Sequence, residues 1–130
     1  MNLRTVLPLS AIIAATGLAA LAVSAGAAPP APAGDQSFKQ RCQMCHALTP
    51  GGASGPLAPN LRGVVGRKAG STAFKTYSPA LKGSSIVWNA AKLDAYLAAP
   101  GKTVPGTRMV IAVSDPAQRK AIIAYLATQR

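Results

Sequence analysis

The chain is 130 residues long and carries 14 Lys+Arg against 3 Asp+Glu, with one His and two Cys. That length suits one small domain once any targeting segment is set aside. Two Cys allow a single bridge, which excludes a disulfide scaffold, and one His with two Cys falls short of a tetrahedral zinc set. A hydrophobic fraction of 49% argues against disorder, while 5% aromatics leaves the usual large core-fillers scarce.

In chain order, Arg4 is the only charge before Asp35, and Val6 to Val23 is an apolar run of 18 residues. The small residues Ser24-Ala25-Gly26-Ala27-Ala28 follow. Residues 1–28 therefore read as a secretory signal cleaved near Ala27 or Ala28. The alternative is an uncleaved anchor, weakened by Pro8 and Gly17 and by a run at the lower limit for a span. Residues 29–33 continue as a stiff Ala/Pro spacer, and 34–130 form the functional domain. Export to the periplasm is the expectation. Outside the signal 13 basic residues face 3 acidic ones, which steers the domain toward negative surfaces. Nucleic acid is a poor partner for an exported protein; acidic protein surfaces or anionic headgroups fit better.

The first helix is expected from about Asp35 into Cys42–His46, with Gly34, Phe38 and Cys42 on one face. Residues 47–88 then show no periodicity and hold 7 Gly and 4 Pro. The second helix follows Asn89, a good N-cap, with Leu93, Tyr96 and Leu97 on one side and Pro100 beyond its end. The third follows Asp115-Pro116, where Gln118 completes a capping-box pattern and Ile122, Ile123, Tyr125 and Leu126 form an apolar stripe. Three short helices and a loop this long do not make a core by themselves. A large apolar ligand at the centre, wrapped by the loop, removes both objections.

Cys42-Gln43-Met44-Cys45-His46 names such a ligand. C-x-x-C-H is the attachment pattern of c-type haem. Two thiols add across the porphyrin vinyl groups, and the following His lies under the iron. Both cysteines and the single histidine fall inside this pentapeptide, behind an export signal. A redox dithiol would call for a βαβ setting, a structural disulfide would close too small a loop, and a zinc ribbon would need a second ligand pair. With no second His, the sixth iron ligand is sought among the methionines. Met1 belongs to the signal, and Met44 is held between the cysteines. Met109 remains, 63 residues after His46 and just past Pro105-Gly106. An open iron or a Lys ligand stays as the alternative.

Five segments then resemble the class I cytochromes c. They are Gly34-x-x-x-Phe38-x-x-x-Cys42 running into the haem motif; Pro59-Asn60-Leu61-Arg62-Gly63 with Gly66-Arg67; Tyr77 to Trp88; Leu93-x-x-Tyr96-Leu97-x-x-Pro100; and Pro105-Gly106-Thr107-Arg108-Met109. The closing Ile123-Ala124-Tyr125-Leu126 is similar too. The resemblance implies an all-α fold with three main helices and long loops around one covalent haem. It implies that Pro59 offers its carbonyl to His46, with Pro56 as the alternative donor. Arg67, Tyr77 and Trp88 would hold the inner haem propionate. Tyr96 and Thr107 would lie in the pocket of Met109, and Gly34 would let the first helix cross the last near Tyr125. Arg108 stands where the family usually has Lys, and the Asn expected near Leu81 is absent.

The expected function is that of a monomeric, non-enzymatic carrier of single electrons. Lys39, Lys68, Lys75, Lys82, Lys102, Arg108 and Lys120 are candidates to ring the haem edge. They would meet acidic surfaces of a quinol-oxidising cytochrome complex, a terminal oxidase or a photosynthetic reaction centre. The alternatives are the dedicated cytochrome of a periplasmic dehydrogenase, a haem peroxidase or sensor with an open iron, and a basic module at the membrane surface.

Overall fold

The computed structural model describes residues 33–130, so the expected signal and nearly all of the Ala/Pro spacer lie outside the described residues. Five helices follow in order: α1 (Gly34–Arg41), α2 (Pro79–Lys82), α3 (Ala90–Ala98), α4 (Pro100–Thr103) and α5 (Pro116–Thr128). Among the described residues no strand forms beyond an isolated bridge between Lys68 and Val87, and no helix is long and apolar enough to cross a membrane.

In α1, Asp35 sits in the first turn and Lys39 and Arg41 in the last, each favourable to the helix dipole. The helix stops earlier than the sequence suggests. Past Arg41 the hydrogen bonds tighten: Cys45 N–H donates to the Cys42 carbonyl, three residues back, at 3.0 Å. Cys42–Cys45 are thereby a run of turns that ends at His46.

Helix α3 begins as expected, with Asn89 Oδ1 accepting from Lys92 N–H at 2.8 Å. Pro100 does end it, but also opens the one-turn α4, because a proline is preorganised for the first position of a helix. Asp115 Oδ1 caps α5 by accepting from Ala117 N–H at 2.9 Å. Gln118 is buried, on the same face as Ile122 one turn later, so it joins the core side of α5.

The frame is α5 packed against both α1 and α3. A Cβ on Gly34 would collide with the Ala121 carbonyl and come within 2.8 Å of Tyr125 Cβ, so only glycine permits this helix crossing. Phe38 and Tyr125 tilt against each other beside it, ring centroids 5.8 Å apart. On the other side Trp88 and Tyr96 pack at a tilt, ring centroids 5.0 Å apart. Leu93, Leu97, Ile122 and Leu126 fill the space between α3 and α5, and Val64, Val104 and Val113 reach in from the loops.

The loop over 47–88 is ordered by single hydrogen bonds. Trp88 N–H donates to the Arg67 carbonyl at 2.9 Å and Ala69 N–H to the Ile86 carbonyl at 2.8 Å, which pins the middle of this stretch to its end. Gly63 N–H donates to the Gln129 carbonyl at 2.6 Å, tying the loop to the chain end.

Candidate functional site

The loops and helices enclose a cavity of about 440 Å³, within the range of roughly 300–1,000 Å³ typical of cofactor sites. Nine of the ten residues singled out from the sequence line it: Cys42, Cys45, His46, Pro59, Arg67, Tyr77, Trp88, Tyr96 and Met109. The tenth, Thr107, stands just behind, its Oγ1 2.6 Å from the Tyr96 hydroxyl.

The turns after α1 set the two thiols and the imidazole along one wall. Both cysteines are free. Burial pushes the Cys42 thiol up to about 11, against the pull of Arg41 and with a small push from Cys45. A reactive dithiol needs a thiol pulled the other way, so that reading has no support here. Nor do the described residues contain any cluster of three or more His, Cys, Asp or Glu for zinc.

His46 Nδ1 lies 2.8 Å from the Pro59 carbonyl oxygen; Pro59 takes this contact, and Pro56 does not. Burial pulls His46 below its usual value, and the Pro59 bond partly offsets this. A neutral ring that donates from Nδ1 keeps its Nε2 lone pair for a metal. The Pro59 loop is held tightly against the motif. Ala58 N–H donates to the Cys45 carbonyl at 3.1 Å, and a Cβ on Gly55 would collide with that same carbonyl.

Met109 is partly buried against the core on the cavity wall. Its N–H donates to Thr107 Oγ1 at 3.3 Å, and Arg108 Nη1 donates to the Thr76 carbonyl at 3.0 Å. Burial raises the Tyr96 phenol above its usual range, partly offset by the Thr107 bond.

Arg67 is half-committed to the loop. Nη1 donates to the Arg62 carbonyl and Nη2 to the Asn60 carbonyl, both at 2.8 Å. Nε–H and one hydrogen on each terminal nitrogen remain uncommitted. Burial lowers its pKa, and the neighbouring Tyr77 raises it. The Tyr77 hydroxyl is 2.7 Å from Thr72 Oγ1.

Sequence reasoning missed two contributors. Asn60 is buried and bridges both arms of the loop. Its Nδ2 donates to the Thr49 and Ala53 carbonyls at 2.9 and 2.7 Å, and its Oδ1 accepts from Arg62 N–H at 2.7 Å. An Asn directly after a Pro inside a Gly-rich loop is the signal that could have marked it. Arg41 also lines the cavity.

Of the expected cationic ring, Lys68 and Arg108 are exposed at the cavity wall. Lys75, Lys82, Lys102 and Lys120 are exposed elsewhere on the surface, and Lys39 turns to Asp35 at 3.4 Å. Lys75 stands in a turn and Lys39, Lys82, Lys102 and Lys120 on helices, and none of these five lines the cavity. None of the three Asp lines it.

Two thiols, an imidazole with a free Nε2, a thioether and a guanidinium around an apolar cavity match the donor set of a c-type haem. The comparisons agree. The cytochrome c family model matches residues 31–130. Cytochrome c2 of Rhodomicrobium vannielii is 45% identical over 97 residues, which are 74% of this chain and 76% of that protein. Cytochrome c of Gossypium barbadense is 42% identical over 102 residues, 76% of this chain and 91% of that one. The structure of cytochrome cH from Methylobacterium extorquens superposes with a TM-score of 0.66 at 43% identity, covering 75% of this chain and 97% of that one. The chain thus belongs to the class I c-type cytochromes of the cytochrome c family, electron carriers that hold a covalent haem c.

Proposed function

We propose that this protein carries single electrons between redox proteins of the periplasm, and that one haem would be held by His46 and Met109 at its iron and by Cys42 and Cys45 as covalent anchors. The observation that supports the reading is convergence. Both thiols, the Met109 thioether and an imidazole tied through Nδ1 to Pro59 face one cavity. When bound, the haem iron supplies the one-electron ferric/ferrous couple.

The chain's own residues do the rest. Pro59 fixes the tautomer and ring angle of His46 and strengthens it as a ligand. The uncommitted N–H groups of Arg67, with Tyr77 and Trp88 beside it, offer donors to a poorly solvated propionate. Tyr96 and Thr107 orient the Met109 backbone. The apolar walls given by Leu61, Val64, Leu93, Leu97 and Leu126 keep water from the centre. Residues 1–28 direct export and 29–33 act as spacer. Arg41, Lys68 and Arg108, with no Asp among them, favour docking on an acidic protein surface.

Visible spectra of the exported protein test the reading. Sharp low-spin bands on reduction are expected, with the weak far-red sulfur-to-iron band on oxidation, and Met109→Ala should abolish that band. A high-spin spectrum from the unaltered protein would overturn Met109 ligation. Transfer to an acidic partner should slow as ionic strength rises, because exposed charges are screened within about 10 Å at 0.1 M salt; rates flat across that range would overturn the docking claim.

A further inference from the structure

Arg119 is partly buried on the first turn of α5, and it does not line the cavity. Its side chain is only 11% exposed. Nε donates to Asp94 Oδ1 on α3 at 2.7 Å, while Nη1 donates to the Val113 and Ser114 carbonyls at 3.0 and 2.9 Å. Those carbonyls belong to the irregular segment that leads from Met109 into α5. At the same point Val113 N–H donates to the Leu97 carbonyl at 2.8 Å and its side chain is buried. Upstream, the segment is held by the contacts of Thr107 and Arg108. Between the two anchors Val110 and Ile111 line the cavity, and Val110, Ile111 and Ala112 donate no backbone hydrogen bond to another described residue. Met109 therefore rides on a short strap, and Arg119 is the charged clasp at its downstream end.

The geometry points to Arg119 as a positioning residue for Met109: its guanidinium joins α3, α5 and the strap, and so limits how readily the thioether leaves the iron. The inference rests on the His46/Met109 reading. The residue type suits the task. A planar guanidinium reaches two carbonyls and a carboxylate from a fixed fork; a Lys ammonium holds the carboxylate but not the whole set. The bonds to Val113 and Ser114 are charge-assisted, so losing them weakens the strap more than losing neutral ones would.

The test uses the oxidised holoprotein with imidazole as the competing ligand, read at the far-red band. Arg119→Met should raise the apparent imidazole affinity about tenfold or more. Arg119→Lys should restore part of the difference, and Asp94→Asn should give a smaller rise. Phe38→Leu serves as the comparison, since it loosens the α1–α5 contact far from the strap and its residue does not line the cavity. It should lower the urea midpoint while leaving imidazole affinity within about twofold. An Arg119→Met protein with unchanged affinity would overturn the proposal, as would an equal rise in Phe38→Leu. If the unaltered protein shows no far-red band, the ligation reading falls and this one with it. A normal band with unmoved affinity overturns the Arg119 role alone.

Discussion

The helical frame and the loops of this protein are stabilised in different ways. Across α1, α3 and α5, stability comes from faces: Phe38 on Tyr125, Trp88 on Tyr96, and Leu93, Leu97, Ile122 and Leu126 in one cluster. Across 47–88 and 104–114 it comes from points, where one polar side chain satisfies several backbone groups. Asn60, Arg67 and Arg119 each hold such a junction, and Arg108 adds a single bond to the Thr76 carbonyl. A face tolerates the loss of one methyl group; a point contact fails as a unit, because it leaves several backbone groups unpaired at once. The cavity lies where the two meet, with Cys42, Cys45, His46 and Met109 on loop segments and Leu93, Leu97, Ile122 and Leu126 on helices.

The largest break should come from withholding the haem. Without haem, the apolar side chains around the cavity of about 440 Å³ lose their central packing partner, and Leu93, Leu97, Ile122 and Leu126 lose it together. The apoprotein should lose its cooperative unfolding transition in circular dichroism, with frame and loops failing together. A native-like transition without haem would show the frame to be self-sufficient.

The frame alone is broken at Gly34. Gly34→Ala drives a methyl group into the Ala121 carbonyl and should cost about 1–3 kcal/mol, read as a lower urea midpoint with the visible spectrum unchanged. The loop alone is broken at Asn60. Asn60→Ala strands the Thr49 and Ala53 carbonyls and Arg62 N–H, at about 1–3 kcal/mol. Hydrogen exchange should quicken over 47–62 while α5 stays protected; uniform quickening would contradict the division drawn above.

The smallest effect is a pH dependence at Tyr96. Burial raises its folded-state pKa above the unfolded value of about 10, so the folded protein holds this proton more tightly. The stability linked to it is fully present below about pH 10 and is lost as pH rises through the folded value. Tyr96→Phe should flatten the alkaline limb of the unfolding midpoint between about pH 9 and 12. An unchanged slope would remove Tyr96 from that limb.

The anchors, the imidazole and the single spare methionine were legible in the residues themselves, because C-x-x-C-H has a covalent reason for its spacing and the chain has few rival donors. Asn89 and Asp115 were legible as caps for the same kind of reason, since capping is settled within a few residues. The choice of Pro59 over Pro56 was not, nor the roles of Asn60 and Arg119, nor which lysines approach the cavity. Those depend on which carbonyls and carboxylates lie within 3 Å after segments distant in sequence have packed together, as Arg119 and Asp94 do across α5 and α3. The sequence by itself determined the chemistry this protein can hold, because covalent and capping motifs are local. The tertiary structure alone decided how firmly the Met109 strap and the Pro59 loop are held, because long-range hydrogen bonds leave no periodic trace in the chain.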